Sequence, residues 1–197
     1  MSKGVRAVVI GIVVAFALSF GLSLLYSAAG KPDTMQAVLI GCVFGAITAY
    51  IFGNLAGNRS IPNASAAQRS EALARTPPAG RALLYLYRQG FVARLAGLNL
   101  SIDGRVVAQL KAPRFTLVAV PARQLTLTAA FGGLAGPQNK PSELVIDASA
   151  GGIVVVRITM AMGMLQGSIR MERQSDPVAA RRALASMTMT PADVPEI

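Results

Sequence analysis

Between Ala7 and Tyr26 the chain runs for twenty residues without a charged side chain, and a second uncharged run fills residues 35–57. At about 1.5 Å of rise per residue, a helix of either length reaches across the roughly 30 Å hydrocarbon core of a bilayer. Residues 27–34 between the runs hold the turn formers Gly30, Pro32 and Asp33. The expected N-terminal structure is a two-helix transmembrane hairpin over residues 1–57, with spans at 7–26 and 35–57. A secretory signal peptide is the competing account of the first run, since Lys3 and Arg6 make a basic start and Ser27-Ala28-Ala29 resembles a cleavage site. The run exceeds the roughly 7–15 residues of a signal core and a second span follows at once, which favours the hairpin.

Both runs carry small residues on a four-residue repeat: Ala7, Gly11, Ala15, Ser19, Ser23 and Ser27 in the first, Ala37, Gly41, Gly45, Ala49, Gly53 and Gly57 in the second. Helices in lipid gain no hydrophobic reward for associating, so stripes that let backbones approach closely supply the attraction. The stripes either face each other within one hairpin or mediate contact between copies of the chain. Cys42, beside the second stripe, reads as a small buried apolar residue. Lys3 and Arg6 precede the first span, Lys31 stands alone between the spans, and Arg59, Arg69, Arg75 and Arg81 follow the second. By the positive-inside rule both termini face the cytoplasm.

The composition is otherwise poor in chemistry. The chain has no His, no Trp and one Cys, which excludes disulfide frameworks, Cys/His zinc sites and His-based triads. No cofactor is implied. Residues 58–80 are short of large apolar side chains and read as a basic linker, with 65–75 able to form a short helix. Its Arg59, Arg69 and Arg75 stand where they can meet anionic lipid headgroups.

From Arg81 the periodicity becomes short and alternating, with turn residues every eight to twelve positions, as in an all-β sandwich. Eight strands are expected, at 81–88, 98–102, 105–110, 114–120, 124–130, 143–148, 153–160 and 164–173, in a domain over 81–187. Asp103-Gly104 supplies the two positive-φ residues of a tight hairpin turn. Ser175-Asp176-Pro177 caps a short C-terminal helix over 178–187, and the tail over 188–197 is expected to be extended or mobile.

The segments Arg81-Ala-Leu-Leu-Tyr-Leu-Tyr-Arg88, Ser101-Ile-Asp-Gly104, Arg114-Phe-Thr-Leu-Val-Ala-Val-Pro121 with Gln124-Leu-Thr-Leu-Thr128, and Ile153-Val-Val-Val-Arg-Ile158 resemble the bacterial domain-of-unknown-function family 2846. That family is similar to the small PEGA-type β-sandwich. The resemblance covers about half the chain, and Pro121-Ala122 replaces the Pro-Gly pair of the family pattern. It implies an all-β accessory module without assigned catalytic residues.

Two other patterns bear on binding. Met160, Met162 and Met164 alternate, so a strand would align three thioethers suited to Cu(I), although a core edge filled by methionine fits as well. Tyr85 and Tyr87 share a strand face and, with Arg88, make a possible stacking surface for a ligand, or else sandwich core. From Arg81 onward thirteen basic side chains face seven acidic ones, but no nucleic-acid reading motif accompanies the charge. Asp103, Glu143 and Asp147 lie at no spacing that pairs an acid with a base. The leading expectation is a non-enzymatic scaffold of the bacterial inner membrane, partnered by the bilayer and by other membrane subunits or itself. The alternative is a periplasm-facing sandwich that binds glycan or envelope polymer.

Overall fold

The computed structural model describes residues 1–197 apart from 32, 134, 135, 138 and 163–166. The chain divides into two compact units, one covering Met1–Gly57 and one holding the β strands.

The first unit is a pair of long apolar helices, α1 (Lys3–Ala28) and α2 (Thr34–Leu55). Each starts on a side-chain cap that satisfies an otherwise orphaned backbone donor. The Ser2 hydroxyl accepts from the Val5 N–H at 3.3 Å, and the Asp33 carboxylate accepts from the Gln36 N–H at 2.9 Å. Both helices therefore begin at their caps, one to four residues earlier than the uncharged runs suggest. Of their residues only Ala7, Gly11, Ala37, Gly41, Gly45 and Gly53 are buried, all members of the two small-residue stripes.

The second unit contains α3 (Ala66–Ala74), β1 (Arg81–Arg88), β2 (Leu98–Ile102), β3 (Arg105–Leu110), β4 (Arg114–Pro121), β5 (Gln124–Phe131) and β6 (Asn139–Lys140). It continues with β7 (Ser142–Asp147), β8 (Ile153–Met162), β9 (Gly167–Arg173), α4 (Pro177–Ala183), a 3₁₀ turn (Leu184–Ser186) and β10 (Thr188–Met189). A six-stranded mixed sheet has the order β10-β4-β1-β8-β9-β6, and a four-stranded antiparallel sheet the order β3-β2-β5-β7. Strand β1 sits inside the larger sheet, antiparallel to β4 and parallel to β8. Its run Ala82 to Tyr87 is buried throughout, which fits a strand covered on both faces. Strands β2 and β5 instead alternate buried with half-buried residues, as a sheet with one wetter face does.

One face of the larger sheet presents Leu83, Tyr85, Tyr87, Phe115, Leu117 and Val155 to Ala72 of α3 and to Leu184 and Met187 beside the 3₁₀ turn. Residues 58–80, expected to run as a linker, thus help to cover the core. The expectation failed because it weighed side-chain size alone: the helix contributes a small Ala72, which lets it lie close to the sheet. Ser65 and Gln68 form a reciprocal capping box that starts α3.

Three further expectations are corrected. Two short strands, β6 and β10, join the eight anticipated, and the C-terminal helix yields to a 3₁₀ turn after Ala183. The tail is stitched down: the Thr190 N–H donates to Phe115 O at 2.8 Å and the Asp193 N–H to Val107 O at 2.8 Å. Pro195 O accepts from the Ala119 N–H at 2.8 Å, and the Ile197 N–H donates to Ala119 O at 3.1 Å. Unpaired backbone groups of β4 and β3 take up a segment whose own side chains gave no periodic signal.

Candidate functional site

The helical seam is built from missing side chains. A Cβ placed on Gly45 would stand 2.6 Å from the Ala15 Cβ and 2.6 Å from Gly11 O. One on Gly11 would stand 2.7 Å from the Ala49 Cβ and 2.7 Å from Gly45 O. A Cβ on Gly41 would meet Ala15 O at 2.6 Å and collide with the Ser19 hydroxyl. Glycine is required here by proximity, since any Cβ would push the helices apart. Gly11, Ala15, Ser19, Gly41, Gly45 and Ala49 therefore meet across one interface inside the hairpin. Gly53 is buried on the same stripe and Ser23 half-buried on its own. Cys42 lies on the exposed side of α2, contrary to its expected burial, because it is one residue off the stripe.

The expected Tyr85, Tyr87 and Arg88 surface does not exist as one. Tyr85 is fully buried beneath α3, where its hydroxyl donates to Ala72 O at 2.6 Å and the Arg181 guanidinium stacks 5.5 Å from its ring centroid. Burial raises the pKa of Tyr85, against the opposing pull of Arg181 and Arg75. Tyr87 is buried alongside it, and its pKa is likewise raised by burial. Arg88 points to the opposite face of β1, as strand alternation demands. There it is wholly buried, with Nη1 donating to Ala96 O at 2.5 Å and Leu110 O at 3.0 Å, and Nη2 donating to Ala93 O at 2.7 Å. Its guanidinium stacks 5.2 Å from the centroid of Phe131 on the other sheet. Burial lowers the Arg88 pKa to about 10, so the group remains a cation at neutral pH. It is an internal strut.

The arginines expected at lipid headgroups have partners within the chain. Arg59 pairs with Asp193 at 2.6 Å and Arg75 with Glu196 at 2.9 Å, while Arg69 donates to Met187 O at 3.4 Å. These contacts hold the tail and the α3 segment together. Asp103 and Gly104 form the expected turn, with φ of 48° and 80°. The Asp103 carboxylate also accepts from the Thr126 N–H at 2.9 Å and pairs with Arg123 at 2.6 Å, and the Thr126 bond leads in depressing its pKa. Of the methionine stripe, Met160 lies on β8, while Met164 and the Met162 side chain lie outside the described residues.

Two concavities went unread in the sequence. A groove of about 580 Å³ runs beside α4, lined by Leu73, Ile153, Pro177, Val178 and Arg181 among others. A smaller cleft of about 110 Å³ is lined by Arg59, Ser60, Ile61, Gln109, Lys111 and Arg114. The latter had a legible signal, since Lys111-Ala-Pro-Arg114 places two cations across one strand-to-strand turn. Compared with protein-family models and with curated proteins, the chain matches none of either.

Proposed function

We propose that this chain is a non-enzymatic accessory protein of a bacterial inner membrane, in which a helical hairpin anchors a β domain that contacts other subunits or copies of itself. The observation that carries the reading is the surface of the hairpin. Its small residues are spent on the seam, and its outward faces expose Val8, Ile12, Phe16 and Phe20 on α1 and Leu39, Val43, Phe44 and Ile51 on α2. A contiguous apolar surface of that extent is costly in water and ordinary in a bilayer.

The distribution of Lys and Arg around the two helices supports cytoplasmic termini. Kinship with the domain-of-unknown-function family 2846 belongs to the proposal, supported by the Asp103-Gly104 hairpin and the Tyr-x-Tyr-Arg strand. Partner contact by strand addition would use β7, the last strand of the smaller sheet, where Val145 is 58% exposed. The burial of Tyr85 and Tyr87 removes two of the side chains that the glycan-binding alternative would use.

The test combines extraction and labelling. In Cys42→Ala with the exposed Glu143 replaced by cysteine, cells are treated with a membrane-impermeant maleimide before and after the inner membrane is opened. Retention in membranes through alkaline carbonate, with labelling only after opening, is the expected result. Release by carbonate overturns the anchor, and labelling once the outer barrier alone is breached overturns the orientation.

A further inference from the structure

We propose that the cleft beside the β3–β4 turn binds a phosphate group. Three cations converge on it from separate places in the chain: Arg59 ahead of α3, Lys111 just past β3, and Arg114 at the start of β4. Lys111 and Arg114 are half-buried, and among the described residues neither side chain has a hydrogen bond or ion pair. The wall facing them is fixed. Gln109 is 5% exposed, its Oε1 accepts from the Arg59 N–H at 2.7 Å, and its Nε2 donates to Asn99 Oδ1 at 2.7 Å. Arg59 is further held by Asp193, the one carboxylate paired with this cluster among the described residues. Three positive charges against one negative charge leave the cleft short of an anion.

The shape narrows the ligand. A volume of about 110 Å³ takes a tetrahedral oxyanion, with whatever carries that oxyanion left outside the cleft. The lining supplies donors of the right kind: a guanidinium fork able to hold two oxygens of a phosphate, an ammonium point charge, and the Ser60 hydroxyl. A carboxylate would offer these donors two oxygens and one negative charge, whereas a phosphate offers them three oxygens and up to two charges. Two sources share this chemistry, a free ion and the headgroup of an anionic lipid. Arg59 follows the last residue of α2, Leu55, by only four positions, which makes the lipid a close source if α2 spans a membrane. The phosphate assignment itself stands without that condition.

The experiment uses the full chain in phosphatidylcholine nanodiscs. Inorganic phosphate is titrated calorimetrically, and in parallel nanodiscs containing phosphatidic acid are analysed by native mass spectrometry for lipid retained on the protein. Variants are the Lys111→Gln and Arg114→Gln double change and, as control, Arg105→Gln on the exposed hairpin. Saturable binding of inorganic phosphate, at least tenfold weaker in the double variant and unchanged in the control, supports the site with a free ion as ligand. Retention of phosphatidic acid alone, lost in the double variant, supports it with a lipid headgroup. Absence of both, or binding that the double variant does not weaken, overturns it. Should the double variant fail to fold, acetylation of Lys111 in the unaltered protein decides: protection by phosphate or phosphatidic acid supports the site, and equal modification with and without them overturns it.

Discussion

Replacing Arg88 by methionine keeps an unbranched apolar stem between the sheets and removes the guanidinium. The Ala93 carbonyl retains the Ala96 N–H at 3.0 Å and Leu110, opposite Leu98 in the β2–β3 ladder, retains its strand partner, so only the carbonyl of Ala96 is left as an orphan. At about 2 kcal/mol for the orphaned acceptor and about 1 kcal/mol for each charged bond lost from a carbonyl that keeps a partner, this amounts to about 4 kcal/mol. The stacking on Phe131 adds about 1 kcal/mol. Against that, burial lowers the Arg88 pKa to about 10, and at about 1.4 kcal/mol per pKa unit methionine escapes a charging penalty of about 3 kcal/mol. The net expectation is a loss of about 2 kcal/mol, or about 5–10 °C in Tm, followed by near-ultraviolet circular dichroism of the full chain in detergent.

The pH profile supplies a second reading. Folding lowers the pKa of this base, so above pH 10 the folded state sheds its proton before the unfolded state does. The Arg88 contribution to stability then rises with pH through that window. Tyr85 and Tyr87, whose pKa values folding raises, act in the opposite direction: their contribution is full below the ordinary tyrosine value and lost as pH climbs. Both proteins keep the tyrosines, so the difference between wild type and Arg88→Met isolates the arginine and should widen above pH 10. A methionine variant as stable as wild type, with a flat difference profile, refutes the reasoning.

Gly45→Leu forces a side chain into a space where even a Cβ stands 2.6 Å from Ala15, and should abolish zero-length crosslinking between cysteines placed at the two helix mid-points. Tyr85→Phe orphans the Ala72 carbonyl and should cost about 1–2 kcal/mol in denaturant titration. Asp103→Ala removes the bonds to Thr126 and Arg123 and leaves alanine at a φ of 48°, whereas Asp103→Asn, which tolerates that conformation, should retain more stability. Because folding depresses the Asp103 pKa, its contribution is present above the ordinary aspartate range and lost as pH falls through the folded value, a decline that either variant should lack. Deleting residues 193–197 frees the backbone groups of Ala119 on β4 and should produce concentration-dependent aggregation visible by light scattering.

Where alternation and turn chemistry coincide, the strands were legible to the residue, as in β2 and β3 around the Asp103-Gly104 turn. The small-residue stripes were also legible, because a four-residue repeat maps directly onto one helix face. Two-residue strands such as β6 and β10 carry no period at all, and the tail is held by backbone groups that are the same in every sequence. Arg88 was misjudged for a different reason. Tyr85 and Tyr87 do share a face, but the unbroken apolar run from Ala82 to Tyr87 was itself the sign of a strand covered on both sides, and an arginine continuing such a run is buried with it. The basic cleft escaped because Arg59 is remote in sequence from Lys111 and Arg114, and only the fold brings the three together.

The placement of β1 between β4 and β8 has a consequence for synthesis. β4 can pair with β1 early, but β8 begins at Ile153, about 65 residues after β1 ends. At about 5–20 residues per second the ribosome needs roughly 3–13 s to deliver it. For that interval one edge of a strand with an unbroken apolar run from Ala82 to Tyr87 stands open beside its own nascent chain and its neighbours on the same messenger. The burden of keeping it from pairing wrongly falls on whatever handles the chain as it emerges, and slowing translation between β4 and β8 should lower the yield of folded protein more than slowing it after β8.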